Sequence, residues 1–348
     1  MESKISNINI ENLSNNLIRE LTDNNKLFNS KKLIRGLLNR KIILNDISFW
    51  PNSLIIYYFS LLNDNNANEL IIRQFSLWKK KKFKIHNFDD ILMAYIFMRR
   101  EDLFSKRELN DLLVSVNDSI ADYKGKSIPY RPDYSDDIFI DILGMIPPYL
   151  CLYGINYEKK EYINWALTMF DDFFKYGMSE KYNLPYHAFS NETKEKKGII
   201  GWGRSLGWML FGLSESIAIL HNNSNNNYKS LLNKYYEMLD KSLSYIRTDG
   251  GFSWQLFSID GHLDTSATSL ILLSMLTLKN ERILDEKYDF VITNIFNCLC
   301  KNIKYDKVIN CLSECRGLGM YPQIYDSYSW SVAPTLSCIY YMIRYYNI

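Results

Sequence analysis

The chain has 348 residues, 47% of them hydrophobic and 23% charged, and its 41 basic and 39 acidic side chains leave a formal charge of +2. That balance gives no support for binding nucleic acid or an anionic membrane through bulk charge, and the composition is that of a globular protein able to bury a large core. Aromatic residues reach 15%; an AT-rich coding bias explains part of this, and flat rings stacking on sugar faces would explain the rest.

The N-terminal segment, Met1 to Ser6, leads into an Asn-rich stretch without the apolar core of a secretory signal, and no uncharged apolar run is long enough to span a bilayer. A cytoplasmic protein is expected, with residues 1–25 as a partly mobile extension. Beyond them two kinds of segment alternate. One kind is amphipathic: Ala67–Lys82, Ser105–Tyr123, Glu161–Lys175, Asn227–Arg247 and Asp285–Ile303 each carry an apolar stripe at helical spacing, as in Ile163, Ala166, Leu167, Phe170 and Phe174, and read as helices wet on one side. The other kind opens on a polar or aromatic cluster and then turns almost wholly apolar. Its six openings are Trp50-Pro51-Asn52-Ser53, Asn87-Phe88-Asp89-Asp90, Phe139-Ile140-Asp141, Gly201-Trp202-Gly203-Arg204, Leu263-Asp264-Thr265-Ser266 and Ser327-Tyr328-Ser329-Trp330. A helix apolar nearly all round is buried, and its polar start is where free N–H groups gather.

Six buried helices alternating with outer ones predict an all-α (α/α)6 barrel, a single toroid domain over residues 1–348, with the inner N-termini converging on one cleft. Gly250–Phe257 is read as a short extended element and Asn222–Asn227 as a surface loop. Of the six cysteines, Cys311 and Cys315 have metal-pair spacing but no matching Cys/His pair nearby; reduced, mostly buried thiols are expected, and no metal site.

Several clusters could carry chemistry. Asp141 stands alone in an apolar stretch, a setting that raises a carboxyl pKa and suits a general acid, although an Asp at a helix start can simply cap it. Asp89 and Asp90 open another inner helix, with capping and catalysis equally open for Asp89; Asp136 and Asp137 read as solvated. His187 precedes a run with four glycines in eleven positions, Gly198 to Trp208, in which Trp202 and Trp208 could stack on a sugar and Arg204 could clamp a carboxylate. The alternative is a glycine-rich loop with tryptophans as core anchors. Trp254 and Gln255 could touch sugar or pack, and Asp264 reads as a cap. Phosphate-loop, dinucleotide, zinc-protease and nucleophile-elbow patterns are absent from the sequence.

Taken in order, Ile140-Asp141-Ile142-Leu143-Gly144-Met145 with Pro148-Tyr149-Leu150, His187-Ala188-Phe189, Gly201-Trp202-Gly203-Arg204 through Gly207-Trp208, Trp254-Gln255 and Asp264-Thr265-Ser266-Ala267 resemble glycoside hydrolase families 88 and 105, the unsaturated glucuronyl and rhamnogalacturonyl hydrolases. The resemblance implies an (α/α)6 barrel, Asp141 as general acid/base and Asp89 as the second carboxylate. It places His187, Trp202, Arg204 and Trp208 around the substrate, with Arg131 adding positive charge and Trp254 contributing a further contact. The implied substrate is an oligosaccharide ending in a 4,5-unsaturated uronic acid: Asp141 protonates C4, water adds at C5, and the hemiketal opens to release the next sugar, with no cofactor. Monomer and homodimer both remain open. Where the family often carries Gly-Asn, this chain has Ser205-Leu206. Two other readings stand beside this one: a helical-barrel glycosidase or lyase on a saturated polysaccharide, and a non-catalytic sugar-binding toroid.

Overall fold

The structure is a computed structural model and describes residues 8–26, 47–131, 134–315 and 317–346. Twelve α-helices lie within them. The inner set is α2 (Trp50–Leu61), α4 (Ile91–Arg99), α6 (Pro147–Asn156), α8 (Gly203–Asn222), α10 (Thr265–Asn280) and α12 (Ser329–Tyr346). Each packs on the next and α12 closes on α2, so the six make a ring. Five of the six begin at or directly after the polar openings seen in the sequence, while α6 starts at Pro147, beyond the 3-10 turn that holds Asp141, and from Thr265 to Lys279 every residue of α10 is buried. The outer set, α1 (Ile10–Asn24), α3 (Asn65–Lys80), α5 (Lys106–Ile120), α7 (Lys160–Asp172), α9 (Tyr228–Leu243) and α11 (Asp289–Lys301), buries one stripe each, such as Ile71, Phe75 and Trp78 of α3. Side chains start several of them: Asp64 accepts from the Ala67 amide, and Ser105 with Glu108 forms a capping box. The fold is the (α/α)6 barrel.

Two local expectations change. Residues 10–24 are a helix, where a mobile extension was expected: Leu13, Leu17 and Leu21 fall on one stripe and are buried, and α1 packs on α12 and α2. Residues 1–7 lie outside the described residues. Gly250–Phe257 makes only the isolated bridges Trp202–Gln255 and Ser253–Leu263. Arg247 explains this, since its guanidinium gathers Asp249, Ser253 and the carbonyls of Ile259 and Gly261 into a curled loop in place of a ladder.

The strands that matter are elsewhere. β1 (Asp137–Phe139), β2 (Tyr186–Ser190) and β3 (Lys196–Ile200) form an antiparallel sheet in that order. Further along, β4 (Ile303–Lys304) pairs with β5 (Lys307–Val308), and β6 (Cys311–Leu312) with β7 (Tyr325–Asp326). No described helix is long and apolar enough to cross a membrane, and no disulfide joins the cysteines.

Candidate active site

Asp141 is delivered by a tight turn. β1 ends at Phe139, residues Ile140–Gly144 form a 3-10 turn, and Pro147 and Pro148 open α6, where a missing N–H does no harm. The turn lies directly on α8: a Cβ on Gly144 would sit 2.6 Å from the Trp208 carbonyl oxygen. Glycine therefore permits the close approach that brings Asp141 to α8, where Ser205 Oγ donates to Asp141 Oδ2 at 2.8 Å. Only 8% of Asp141 remains exposed.

The sheet supplies the second partner. Opposite His187 the β2–β3 register shifts, and Gly198 on β3 takes φ 78°, a left-handed conformation that favours glycine. A Cβ at Gly198 would lie 2.8 Å from the His187 Cβ, so the irregular pairing makes room for the imidazole. Its Nε2 stands 3.3 Å from Asp141 Oδ2 and its Nδ1 2.8 Å from the Tyr321 hydroxyl. The Tyr321 oxygen accepts from the Ile199 amide, and burial pushes its own pKa up to about 12, so the hydroxyl keeps its proton. Phe139 and Trp202 hold the imidazole edge-on, at ring separations of 4.9 and 4.5 Å.

These groups border one pocket. Trp50, Tyr130, Phe139, Trp202 and Trp208 give it aromatic walls, while Asp141, His187, Arg131, Arg204 and Glu314 are its polar groups. Trp208, almost wholly buried, packs edge-on to Trp50. Two donors of the lining, Trp202 Nε1 and Arg131 Nε, are buried without a hydrogen-bond partner. Unpaired buried donors are costly unless a ligand or water meets them.

Asp89 and Asp90 differ in their surroundings. Asp90 is the capping residue, accepting from Ser48 Oγ and from the His86 and Asn87 amides. Asp89 has both carboxylate oxygens buried without a partner, and the nearest cation is Arg131, its Nη2 4.0 Å away. Burial, reinforced by the Asp90 charge and opposed by Arg131, pushes Asp89 up to about 7. This raised pKa fixes a stability effect. The folded protein holds the Asp89 proton between about pH 4 and 7 while the unfolded chain releases it, so stability declines as pH rises through that window. Asp89→Asn should raise Tm by a few degrees at pH 8 and leave it nearly unchanged at pH 4, measured by thermal melts at the two pH values; a lower Tm at pH 8 would contradict the sign.

Arg204 differs from the carboxylate clamp expected of it. Its Nη1 and Nη2 donate to the Leu312 and Ser313 carbonyls at 2.8 and 3.0 Å, and its guanidinium lies over Trp202. It borders the pocket while tethering the β6–β7 connection that carries Glu314, Cys315 and Gly317. Trp254 is outside the lining, one ring beyond Tyr321 at 6.3 Å; its carbonyl instead accepts from the Gly203 amide at the start of α8. Asp264 caps α10, as its sequence suggested, and also accepts from the Leu312 amide. Asp136 and Asp137, read as solvated, bind Lys197 across the sheet. Sequence reasoning missed Tyr130, Tyr321, Glu314 and Trp50 as site residues and marked Ser205 only as a departure from the family pattern. Of the four, only Trp50, at an inner-helix opening, carried a signal.

A model of Glycosyl Hydrolase Family 88 matches residues 53–346. The chain belongs to that family. Solved structures agree in fold with this family 88 member. A possible member of glycoside hydrolase family 105 from Klebsiella pneumoniae superposes with a TM-score of 0.76 at 15% identity, over 85% of this chain and 82% of that one. A family 105 glycoside hydrolase from C. acetobutylicum gives 0.72 at 16% identity, over 90% and 98% of the two chains. An unsaturated glucuronyl hydrolase from Bacillus sp. GL1, responsible for degradation of glycosaminoglycan, gives 0.68 at 17% identity, over 88% and 89%. At such identities the likeness speaks for the fold. No protein with a curated description matches the chain.

Proposed function

We propose that this glycoside hydrolase hydrates the C4=C5 double bond of a 4,5-unsaturated uronic acid at the non-reducing end of an oligosaccharide and so releases the adjacent sugar. The observation that carries the reading is Asp141: a carboxyl in an aromatic pocket, with Oδ2 accepting from Ser205 and lying 3.3 Å from His187 Nε2, and no hydrogen bond on Oδ1 among the described residues. A single carboxyl so placed can give a proton to C4 and then, as carboxylate, accept one from the water that adds at C5. The C5 hemiketal opens to a ketone as its ring oxygen leaves. The hemiacetal left at C1 collapses to an aldehyde and expels the next sugar. The scheme uses no metal or redox cofactor. Unsaturated glucuronyl hydrolases among the structural neighbours support it, and unbridged thiols suit a reducing, cytoplasmic setting.

Arg131 receives the uronate carboxylate in this reading, because Arg204 is committed to backbone carbonyls while Arg131 Nε has no partner. Arg131→Ala should then raise KM tenfold or more and change kcat much less, in steady-state assays on an unsaturated disaccharide. An unchanged KM would remove Arg131 from that role.

The test of the function is ultraviolet absorbance of unsaturated uronyl disaccharides from pectin, glycosaminoglycan and rhamnogalacturonan digests incubated with the wild-type protein. Loss of the conjugated double-bond signal on any of them supports hydration. No loss on all three, with the protein folded, would favour an enzyme of saturated polysaccharides or a sugar-binding barrel.

A further inference from the structure

Ser205 stands where relatives often carry glycine, and its hydroxyl does something a glycine cannot: it donates to Asp141 Oδ2 at 2.8 Å from the first turn of α8. Ser205 is buried to within 1% of its surface, and Asp141 is the partner its hydroxyl meets. The same Oδ2 lies 3.3 Å from His187 Nε2. The hydrogen bond to Oδ2 comes from α8, and the imidazole on β2 stands beside the same oxygen. A carboxyl anchored through one oxygen is restrained about its Cβ–Cγ bond, and Oδ1, which has no hydrogen bond among the described residues, is left to meet substrate.

From this geometry we infer that Ser205 is a positioning residue that fixes which oxygen of Asp141 exchanges the proton with substrate. The inference rests on the hydration reading of the site. The arrangement serves both halves of that cycle. While Asp141 is protonated the proton sits on Oδ1, aimed at C4, and Oδ2 still accepts from Ser205. Once the proton has gone to C4, Oδ1 is the bare oxygen beside the attacking water, and the Ser205 hydroxyl on Oδ2 holds the anion in the same orientation. A glycine at 205 would remove that hydrogen bond, and Leu206, apolar and buried, offers no replacement.

The test compares wild type, Ser205→Ala, Ser205→Gly and Ser205→Thr on one unsaturated uronyl disaccharide, with Tm measured for each. Loss of the hydroxyl should lower kcat about tenfold to a hundredfold with KM within about twofold, because the pocket walls and Arg131 are untouched while the reacting oxygen loses its orientation. Thr, which keeps the donor, should recover most of the rate. A merely structural serine would show its loss in Tm and would not split kcat from KM. Unchanged kcat in Ala and Gly variants, or a Thr variant no better than Ala, overturns the inference while leaving the hydration reading intact. A wild type that leaves the double bond untouched overturns both. Should one small variant fail to fold, the other reads the same loss, since neither introduces a clash.

Discussion

Asp141→Asn should abolish turnover of unsaturated uronyl disaccharides, with kcat falling about a thousandfold or more, KM nearly unchanged, and the melting curve like that of wild type. Positioned acid–base groups contribute roughly 10² to 10⁴ in rate, and in the proposed scheme one carboxyl performs both transfers, so its removal strikes two steps. Asn is the informative substitution because it keeps the shape and an oxygen that accepts from Ser205 Oγ, now 2.8 Å from Oδ2. His187 keeps its Tyr321 contact and its place between Phe139 and Trp202. The variant thus lacks an ionisable proton and little else. Arg131 and the aromatic walls still bind, which is why KM should hold. The decisive reading is the double-bond absorbance over hours at high enzyme concentration. A variant within tenfold of wild type would show that another group, with His187 the nearest titratable one, handles the proton.

The barrel was legible because burial writes itself into composition. Helices such as α10, apolar on every side, cannot be outer ones, and each announced its start with a cluster that needs helix N-termini. The pocket's membership was legible to the extent that its residues lie at or near the polar openings: Asp141, Trp202 and Arg204 lie within them, Trp208 follows inside α8, and all border the pocket. What escaped lies on short strands and connections, where no period repeats often enough to be read. The sheet that carries His187 has strands of only three to five residues, and Tyr321, Glu314 and Cys315 sit in the β6–β7 connection, whose position follows from the Arg204 tether. Arg204 itself shows the limit of residue type as a guide. A guanidinium beside a cleft can clamp a ligand or a loop, and only the positions of two carbonyls decide which. Asp89 and Asp90 make the same point, since of two adjacent identical side chains Ser48 and two amides claim only Asp90.

The largest stability effect should come from the opposite end of the ring. Glu215 of α8 accepts from Tyr57 of α2, Tyr95 and Arg99 of α4, and Thr277 of α10, and Tyr341 of α12 faces the same cluster. Five of the six inner helices thus meet at one buried carboxylate. Burial, with the Glu215 charge beside them, pushes Tyr57 and Tyr95 well above the usual phenol range, so both remain donors. Glu215→Ala would leave Arg99 and three hydroxyls without this acceptor, and breaking a buried pair in this way costs about 3 to 5 kcal/mol. The Arg99 side chain is 29% exposed, so water can reach part of it and the lower end, about 3 kcal/mol, is expected from urea unfolding. Arg99→Met together with Glu215→Gln should recover part of the loss, because it removes the uncompensated charge. The folded fraction should keep its kcat, as none of these side chains borders the pocket. A loss below about 1 kcal/mol would mean that apolar packing alone holds the ring. A loss of kcat in folded protein would say more: that this carboxylate sets the mutual register of the inner helices on which the convergence of Asp141, Ser205 and Arg131 depends.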